Sequence, residues 1–408
     1  METLDLAFAA IGGLVLAIAL VSRLLRRSLL SETLVALAAG VVLGPALLGV
    51  VDLGAESEAA VLEHGARLTL AVALMAVAMH LREQGPFREW RTLLVLIAVV
   101  MPAMWLVSSL LAATILGLSL WAALLIGAIV TPTDPVLAAA TVTGEQAEEH
   151  LPGRIRRALL AESGANDGLA HLFVFLPIVV LARPSGEAAS HWLTHTVLRE
   201  TVGGVLLGAA VGLLGGVLLE RARRAGHVAR EYLSSFGLAL SLAVLGLAAV
   251  LQLADVLAVF VAAVAFVSRL SAEDEEVEEH VQEPVSKMLL LPIFALLGAS
   301  LPWDEWRDLG WQGAAFAVAV LLLRRLPVVL AALPLLARRP LPDALFLGWF
   351  GPIGVSALLY ARLAMDSSAV AAVWPAATLV IAASVVAHGM TAMPGQARFP
   401  ALERRLSR

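Results

Sequence analysis

Two short polar stretches hold the residues of this chain that could do chemistry. Residues 131–135 read TPTDP and residues 162–168 read ESGANDG. Carboxylates and hydroxyls are hard oxygen ligands, which suit small cations and protons. Both stretches lie in sequence apolar enough to cross a membrane, where an acid is costly and is a candidate functional group by default. Asp134 and Asp167 are therefore the first residues to explain.

The spacing within 162–168 sorts its side chains if this stretch is helical. Ser163 and Asp167 are four residues apart and share a face, while Glu162 and Asn166 share a neighbouring face about 100° round. Asp167 is the predicted ion carrier, because one buried carboxylate can bind a proton or a cation but not both. Since Asn166 cannot ionise, exchange of one proton for one monovalent cation at this site would be electroneutral.

Two prolines predict a broken helix at the first stretch. Pro132 and Pro135 cannot continue a helix, and broken membrane helices are tolerated only where protein or a water-filled cavity covers the freed backbone. The break would offer backbone carbonyls, the Thr133 hydroxyl and the Asp134 carboxylate, which could also neutralise a half-helix N-terminus. We predict a small alkali cation at Asp167, Ser163 and Thr133, with Asn166 and Asp134 completing an ion and proton site.

Both hydroxyls have a simpler alternative. Thr133 and Ser163 could instead donate to their own helix backbone, which is the usual role of a membrane hydroxyl. For the neighbouring Thr131 that simpler role is the prediction.

Two consecutive arginines, Arg324 and Arg325, fall inside another apolar segment. A guanidinium at bilayer depth needs a partner. The acid left over is Glu162, which faces away from Ser163 and Asp167. We predict a structural Arg324–Glu162 ion pair that joins the two segments, with Arg325 as the alternative donor.

Composition identifies the elements that must position these residues. The chain has 408 residues, 60% hydrophobic and 15% charged, and no cysteine. Its mean hydropathy is +0.88. A soluble domain is about half apolar and a quarter charged, so this is an all-α polytopic membrane protein. With about 20 apolar residues per span, the chain predicts thirteen: 4–22, 33–51, 60–81, 92–116, 118–141, 155–182, 198–220, 232–252, 253–270, 285–301, 309–337, 343–364 and 368–392.

Basic residues concentrate on one side of this topology. Most arginines fall in every second loop, such as those at 23–27, 154–157 and 221–230, and in the C-terminal tail. The positive-inside rule then places the N-terminus outside and the C-terminus in the cytoplasm. The acidic segment 273–280 would be a cytoplasmic connector, and the alternative is a pH- or cation-sensing loop.

The thirteen spans divide into two inverted sets of six joined by the seventh. The fifth span of the first set contains residues 131–135, and the fifth of the second set contains Gly351, Pro352 and Gly354. Interrupted helices at matching positions of inverted halves mark the binding site of a secondary transporter. The predicted fold therefore has two inverted six-helix repeats with crossed broken helices.

These motifs resemble those of the monovalent cation:proton antiporters, in the sodium/proton exchanger group with an Asn-Asp pair. The resemblance is carried by the following residues: Thr133-Asp134-Pro135, Glu162, Ser163, Asn166, Asp167, Arg324 with Val328 (or Arg325 with Val329), Leu43-Gly44-Pro45 and 349–356.

The resemblance implies a dimeric antiporter working by an elevator motion. Residues 1–91 and 198–301 would form the dimerisation scaffold, 92–182 and 309–392 the moving core, and 393–408 a short cytoplasmic tail. It implies transport of Na⁺ or Li⁺, possibly K⁺, against H⁺ across the inner membrane. No cofactor, nucleic acid or soluble partner is expected beyond a second copy of the chain and the bilayer.

Two departures from the family pattern stand out. Many members have an arginine between the glycines of the second broken helix, where this chain has Pro352 and Ile353. Members can also carry an acid in the third span, where residues 75–79 read MAVAM.

The same acids allow three alternative functions, namely a K⁺/H⁺ antiporter, an intramembrane aspartyl protease and a passive cation channel. Against a protease, neither Asp134 nor Asp167 has a Tyr-Asp or Gly-x-Gly-Asp context.

Overall fold

The computed structural model describes residues 2–25, 28, 30–52, 54–82, 90–270, 272–336 and 339–406, and within these ranges every regular element is a helix. The first helices are α1 (Glu2–Leu25), α2 (Glu32–Leu43), α3 (Ala55–Arg82), α4 (Trp90–Ile115), α5 (Leu120–Ile129), α6 (Pro135–Val142), α7 (Glu145–His150) and α8 (Gly153–Ala182). They are followed by α9 (Gly186–Arg224), α10 (Arg230–Val250), α11 (Asp255–Val267), α12 (Ala272–Ala299), α13 (Trp303–Leu323), α14 (Leu326–Ala331), α15 (Leu341–Trp349), α16 (Val355–Ser367) and α17 (Val373–Leu406).

Several helices are long and apolar enough to cross a membrane. In the described part of the chain six meet that test, namely Glu56–Leu81, Trp90–Ile115, Gly153–Ala182, Gly186–Arg224, Trp303–Ala331 and Val373–Leu406. Shorter apolar helices of 10–17 residues, including α2, α5 and α11, lie between them. The chain is thus a multi-pass membrane protein, as its composition predicts. Some of the arginines on which the predicted orientation rests lie outside the described residues, namely Arg26, Arg27, Arg88, Arg338 and Arg408.

Three segments refine the predicted boundaries. The predicted turn between the eighth and ninth spans lies between α10 and α11, where Gln252 has a φ of 54°. The acidic segment 273–280, expected as a connector, is the first part of α12, since its five glutamates favour helix over loop. Residues 393–406 continue α17, and Gln396 donates to the Thr141 carbonyl at 2.6 Å.

The helices pack as two groups. In the first, α2 and α3 pack against α12, α3 and α10 against α11, and α9 against α11. In the second, α4 packs on α5, α5 on α8, and α13 on α17. Contacts of α8 with α3 and α11, and of α16 with α3, join the groups, so α8 lies at the boundary between them.

The first break lies between α5 and α6. Pro135 is the first residue of α6, a position where the missing N–H costs nothing. Asp134 caps α6 by accepting from the Val136 and Leu137 N–H groups at 2.9 and 2.8 Å. The local sequence therefore ends one helix and starts another at bilayer depth.

The second break lies between α15 and α16 and touches the first. The Asp134 N–H donates to the Pro352 carbonyl at 2.8 Å, so the two interruptions are hydrogen-bonded to each other. A Cβ on Gly354 would lie 2.7 Å from an Asp134 carboxylate oxygen. Glycine at this position is what lets the carboxylate approach the start of α16 so closely.

Glycines on α9 allow a second close approach. A Cβ on Gly208 or Gly212 would lie 2.3 Å from the carbonyl oxygen of Ala258 or Ala262 on α11. Since lipid tails are as apolar as leucine, membrane helices associate through such close backbone packing. These glycines let the backbones of α9 and α11 pack directly against each other.

The packing of α9 on α11 is tested by adding one methyl group. We expect Gly212→Ala to destabilise the protein by about 1–3 kcal/mol, because the backbone of α11 cannot retreat cheaply. The matched control is Gly246→Ala on α10, where a Cβ meets nothing within 4 Å. Thermal melting of the detergent-solubilised protein measures both, and equal melting temperatures would contradict the close packing.

Candidate ion-binding site

Asp134 neutralises two helix starts at once. One carboxylate oxygen caps α6, and the other accepts from the Val355 N–H at the first turn of α16. Helix N-termini carry partial positive charge, so one buried carboxylate serves both half-helices. The sequence predicts this neutralising role for one half-helix, and the geometry extends it to the second.

Arg324 performs the complementary task at the two helix ends. Its Nη1 donates to the carbonyls of Val130 and Thr131, each at 2.8 Å, and to that of Pro132 at 3.3 Å. Its Nη2 donates to the Gly351 carbonyl. These carbonyls are freed by the ends of α5 and α15, where a cation is favoured.

The acid of the predicted ion pair is bound by the other arginine. Arg325 holds Glu162 with both fork nitrogens, at 2.6 and 2.7 Å, while Arg324 bonds only backbone carbonyls within the described part of the chain. The expected Arg324–Glu162 ion pair is therefore wrong, and the alternative donor, Arg325, binds Glu162. The reason is local: consecutive side chains leave the backbone in different directions, and Gly351 has no Cβ to block Arg325, whose Cδ would lie 2.2 Å from it.

Asn166 extends this pair into a network. Its side-chain amide donates to Glu162 at 3.0 Å, and its carbonyl oxygen accepts from the Thr133 N–H at 3.1 Å. Arg325 also donates to the Thr133 hydroxyl at 3.1 Å. The side chain of Asn166 is thus bonded at both ends, and it ties α8 to the first break.

The hydroxyls of Thr131 and Ser163 both donate to a backbone carbonyl of the preceding helical turn. Thr131 donates to the Gly127 carbonyl at 2.6 Å, the backbone role predicted for it. Ser163 donates to the Leu160 carbonyl at 3.1 Å, which leaves its oxygen lone pairs as acceptors.

Asp167 differs from every other acid of this cluster. Its side chain is fully buried, and among the described residues neither carboxylate oxygen has a hydrogen-bond partner. Asp134 and Glu162 are equally buried but fully bonded. An unpaired buried carboxylate costs several kcal/mol unless it is protonated or binds a cation, which makes Asp167 the first candidate for ion binding.

Two residues of α16 at this site escape sequence reasoning. The Tyr360 hydroxyl donates to the backbone carbonyl of Asp167 at 2.7 Å. Ser356, one turn earlier on the same face, is fully buried with an unbonded hydroxyl in the described part of the chain. A tyrosine in a span rich in alanine and leucine was the available signal for the first residue.

A cavity of about 290 Å³ begins next to Asp167. Gly168 and His171 of α8 and Tyr360 of α16 line one side of it, and Arg67 and Asp255 line the other. Arg67 bonds Asp255, and His171 contacts the Glu200 carboxylate at 2.9 Å. Gly168 is the residue after Asp167, so the cavity borders the turn of α8 that carries the unpaired carboxylate.

Among the described residues no three His, Asp or Glu side chains converge on one point. The cluster around Asp167 offers one carboxylate with hydroxyls and carbonyls. That donor set suits a monovalent cation with oxygen ligands.

The assignment of Arg325 is tested by a double-mutant cycle. Glu162→Gln and Arg325→Gln should each cost about 3–5 kcal/mol, because each leaves a buried partner unpaired. The double variant should cost clearly less than the sum.

The matched cycle uses Arg324→Gln with Glu162→Gln. We expect it to be closer to additive in melting temperature, because these two side chains share no hydrogen bond. Stronger coupling of Glu162 with Arg324 than with Arg325 would overturn the assignment.

Comparisons with known proteins agree with this architecture. A probable Na⁺/H⁺ antiporter of Schizosaccharomyces pombe is 31% identical over 94% of this chain and 55% of its own length. An Na⁺/H⁺ antiporter of the same yeast is 29% identical over 96% of this chain and 90% of its own length. The chain spans about half the length of the first yeast relatives that it matches.

The fold itself matches a solved structure. A sodium proton antiporter of Methanocaldococcus jannaschii at pH 8 superposes with a TM-score of 0.75 at 18% identity, covering 99% of both chains. The profile of the family described as "Sodium/hydrogen exchanger, transmembrane" matches residues 12–394. The protein therefore belongs to the transmembrane sodium/hydrogen exchanger family.

Proposed function

We propose that this protein is a Na⁺/H⁺ antiporter in which Asp167 binds either the cation or the proton. The observation that carries the proposal is the buried carboxylate of Asp167, which has no partner among the described residues, while Asp134 and Glu162 are bonded. The two yeast relatives, which are described as Na⁺/H⁺ antiporters, support the same activity. Ser163 and Thr133 are proposed to provide further oxygens for Na⁺, or Li⁺, at this site.

The stoichiometry we propose is one proton for one cation. Asn166 carries no charge and uses its amide to hold Glu162 and Thr133 together. Glu162 is neutralised by Arg325, and Asp134 serves two helix N-termini. Asp167 is then the one carboxylate of the cluster whose charge can alternate between proton and cation.

The motion we propose is an elevator. We propose a scaffold of residues 1–91 and 198–301 and a core of 92–182 and 309–392, a division supported by the two groups in which the helices pack, with α8 where they meet. Residues 83–89 of that division lie outside the described residues. We further propose thirteen crossings in two inverted halves, supported by the contact between the two breaks, and a homodimer formed through the scaffold.

Placement in the membrane follows from the arginines. We propose an inner-membrane protein with its N-terminus outside and its C-terminus in the cytoplasm, supported by the positive-inside rule. On that topology the cavity beside Asp167 opens towards the outside, since Glu63 and Arg67 lie near the start of α3.

The rival functions make different use of the acids. A protease dyad needs two carboxylates that share a proton, whereas the Asp134 oxygens are bonded to three backbone N–H groups. A channel would carry cations without moving protons. Exchange that prefers K⁺ would use the same site, so it is an outcome of the test below.

The first test is cation-driven proton movement in proteoliposomes. We expect Na⁺ or Li⁺ to dissipate an imposed pH gradient with wild type, and Asp167→Asn to fall to the level of protein-free vesicles, because an amide binds neither ion. The matched control is Asp366→Asn, whose carboxylate is largely exposed on α16. An active Asp167→Asn variant would overturn the proposal, and a response to K⁺ alone would change the cation.

The second test is the pH dependence of the apparent KM for Na⁺. If one proton competes with one cation at one carboxylate, the apparent KM should rise about tenfold for each unit by which the pH falls below the pKa of that carboxylate. Above that pKa the KM should be constant. A KM that does not change with pH would contradict competition, and a limiting slope of about one hundredfold per unit would indicate two protons.

A further inference from the structure

Ser356 is a buried hydroxyl that the proposed site has not yet used. It lies in the first turn of α16, is fully buried, and has no hydrogen-bond partner among the described residues. Several buried serines and threonines here donate to a backbone carbonyl, as Thr131 and Thr141 do. A buried hydroxyl without such a bond forgoes about 1 kcal/mol or more, so the site it faces needs an explanation.

Two contacts fix the direction in which Ser356 faces. At the start of α16, Val355 is bonded to Asp134, and one turn after Ser356 the Tyr360 hydroxyl is bonded to the Asp167 carbonyl at 2.7 Å. Residues four apart share a helix face. Ser356 therefore lies on the face of α16 that packs on α8 at Asp167, and its hydroxyl lies beside the Asp167 carboxylate.

The unbonded groups at this place are chemically matched. Two carboxylate oxygens of Asp167 and the hydroxyl oxygen of Ser356 are buried together, and none of them has a partner in the described part of the chain. The Ser356 hydroxyl lies close enough to the Asp167 carboxylate to interact with it, but the two groups are not placed for a well-formed hydrogen bond. A small cation between them would accept lone pairs from both groups.

The third span supplies no side-chain oxygen ligand from residues 75–79. Residues 75–79 of α3 are apolar, and Met75 and Met79 are fully buried, so α3 brings no acid to the site from this stretch. A monovalent cation that leaves water needs several oxygen ligands, and the supply from α8 and the first break comes from one side. An oxygen from α16 would approach from the other half of the protein.

We propose that the Ser356 hydroxyl is a cation ligand, which joins Asp167 across the contact between α8 and α16. This inference rests on the proposed antiport and adds a residue that the sequence motifs do not assign. Because α16 begins at the second break, the cation would bridge the helix that carries Asp167 and the half-helix that Asp134 caps. Binding of Na⁺ would then tighten the contact between these two elements, whereas a proton on Asp167 would not.

The experiment combines Ser356→Ala and Ser356→Cys. Alanine removes the oxygen, while cysteine keeps the volume but replaces a hard oxygen by a soft sulfur, a poor ligand for Na⁺. We expect both to raise the apparent KM for Na⁺ by about fivefold, the effect of losing one favourable polar contact. We also expect both to weaken the rise in melting temperature with NaCl, since ligand binding stabilises the folded state.

The matched control is Ser108→Ala on α4. Ser108 is also a fully buried hydroxyl without a partner among the described residues, but it lies on neither α8 nor α16. Its variant should keep the wild-type KM and the wild-type response of melting to Na⁺, with choline chloride balancing ionic strength.

The outcomes separate this inference from the proposed function. If wild type moves protons in response to Na⁺ and Asp167→Asn does not, but both Ser356 variants keep the wild-type KM and Na⁺-dependent melting, the Ser356 ligand alone is overturned. A wild-type result for cysteine with a loss for alanine would make the hydroxyl a space-filling group and also overturn it. If Ser356→Ala does not fold, Ser356→Cys decides. A wild type without any cation response overturns the antiport itself.

Discussion

Two interrupted helices at bilayer depth free backbone groups that water cannot reach, and the rest of the site depends on how these groups are satisfied. A buried N–H or carbonyl without a partner costs free energy comparable to a lost hydrogen bond. Asp134 gathers the N–H groups of α6 and α16, and Arg324 gathers the carbonyls at the ends of α5 and α15. One charge of each sign thus stabilises a geometry that local propensity alone would not hold.

The charges beside this contact fall into two classes. Glu162 and Arg325 form a bidentate pair that Asn166 and Thr133 complete, so removing either partner would leave the other unpaired. Asp167 is buried to the same extent but left unbonded among the described residues. The first class supports the site, and the second is the group that we propose exchanges the proton and the cation. A satisfied network beside an unsatisfied acid keeps that acid in one position while its own charge changes.

Much of this arrangement could be predicted from the chain. Helical spacing alone placed Glu162 with Asn166 and Ser163 with Asp167, and the prolines of residues 131–135 predicted the break with its capping acid. The apolar segments predicted a multi-pass membrane protein. The identity of the arginine that binds Glu162 was harder, because Arg324 and Arg325 are adjacent and both fit the spacing. The two breaks did hold a clue, because their freed carbonyls need one of the two arginines and leave the other arginine for Glu162.

The sequence by itself determined the broken helices, the buried acids and the membrane as solvent, because these follow from proline and glycine backbone constraints and from composition. Tertiary structure alone decided which acid stays unbonded, which arginine takes the acid and which takes the carbonyls, and that Ser356 and Tyr360 of α16 face Asp167. Those outcomes depend on the rotation and contact of helices nearly 200 residues apart in the chain. No local periodicity encodes that rotation, since it is set by how glycines such as Gly351 and Gly354 let neighbouring backbones and side chains approach.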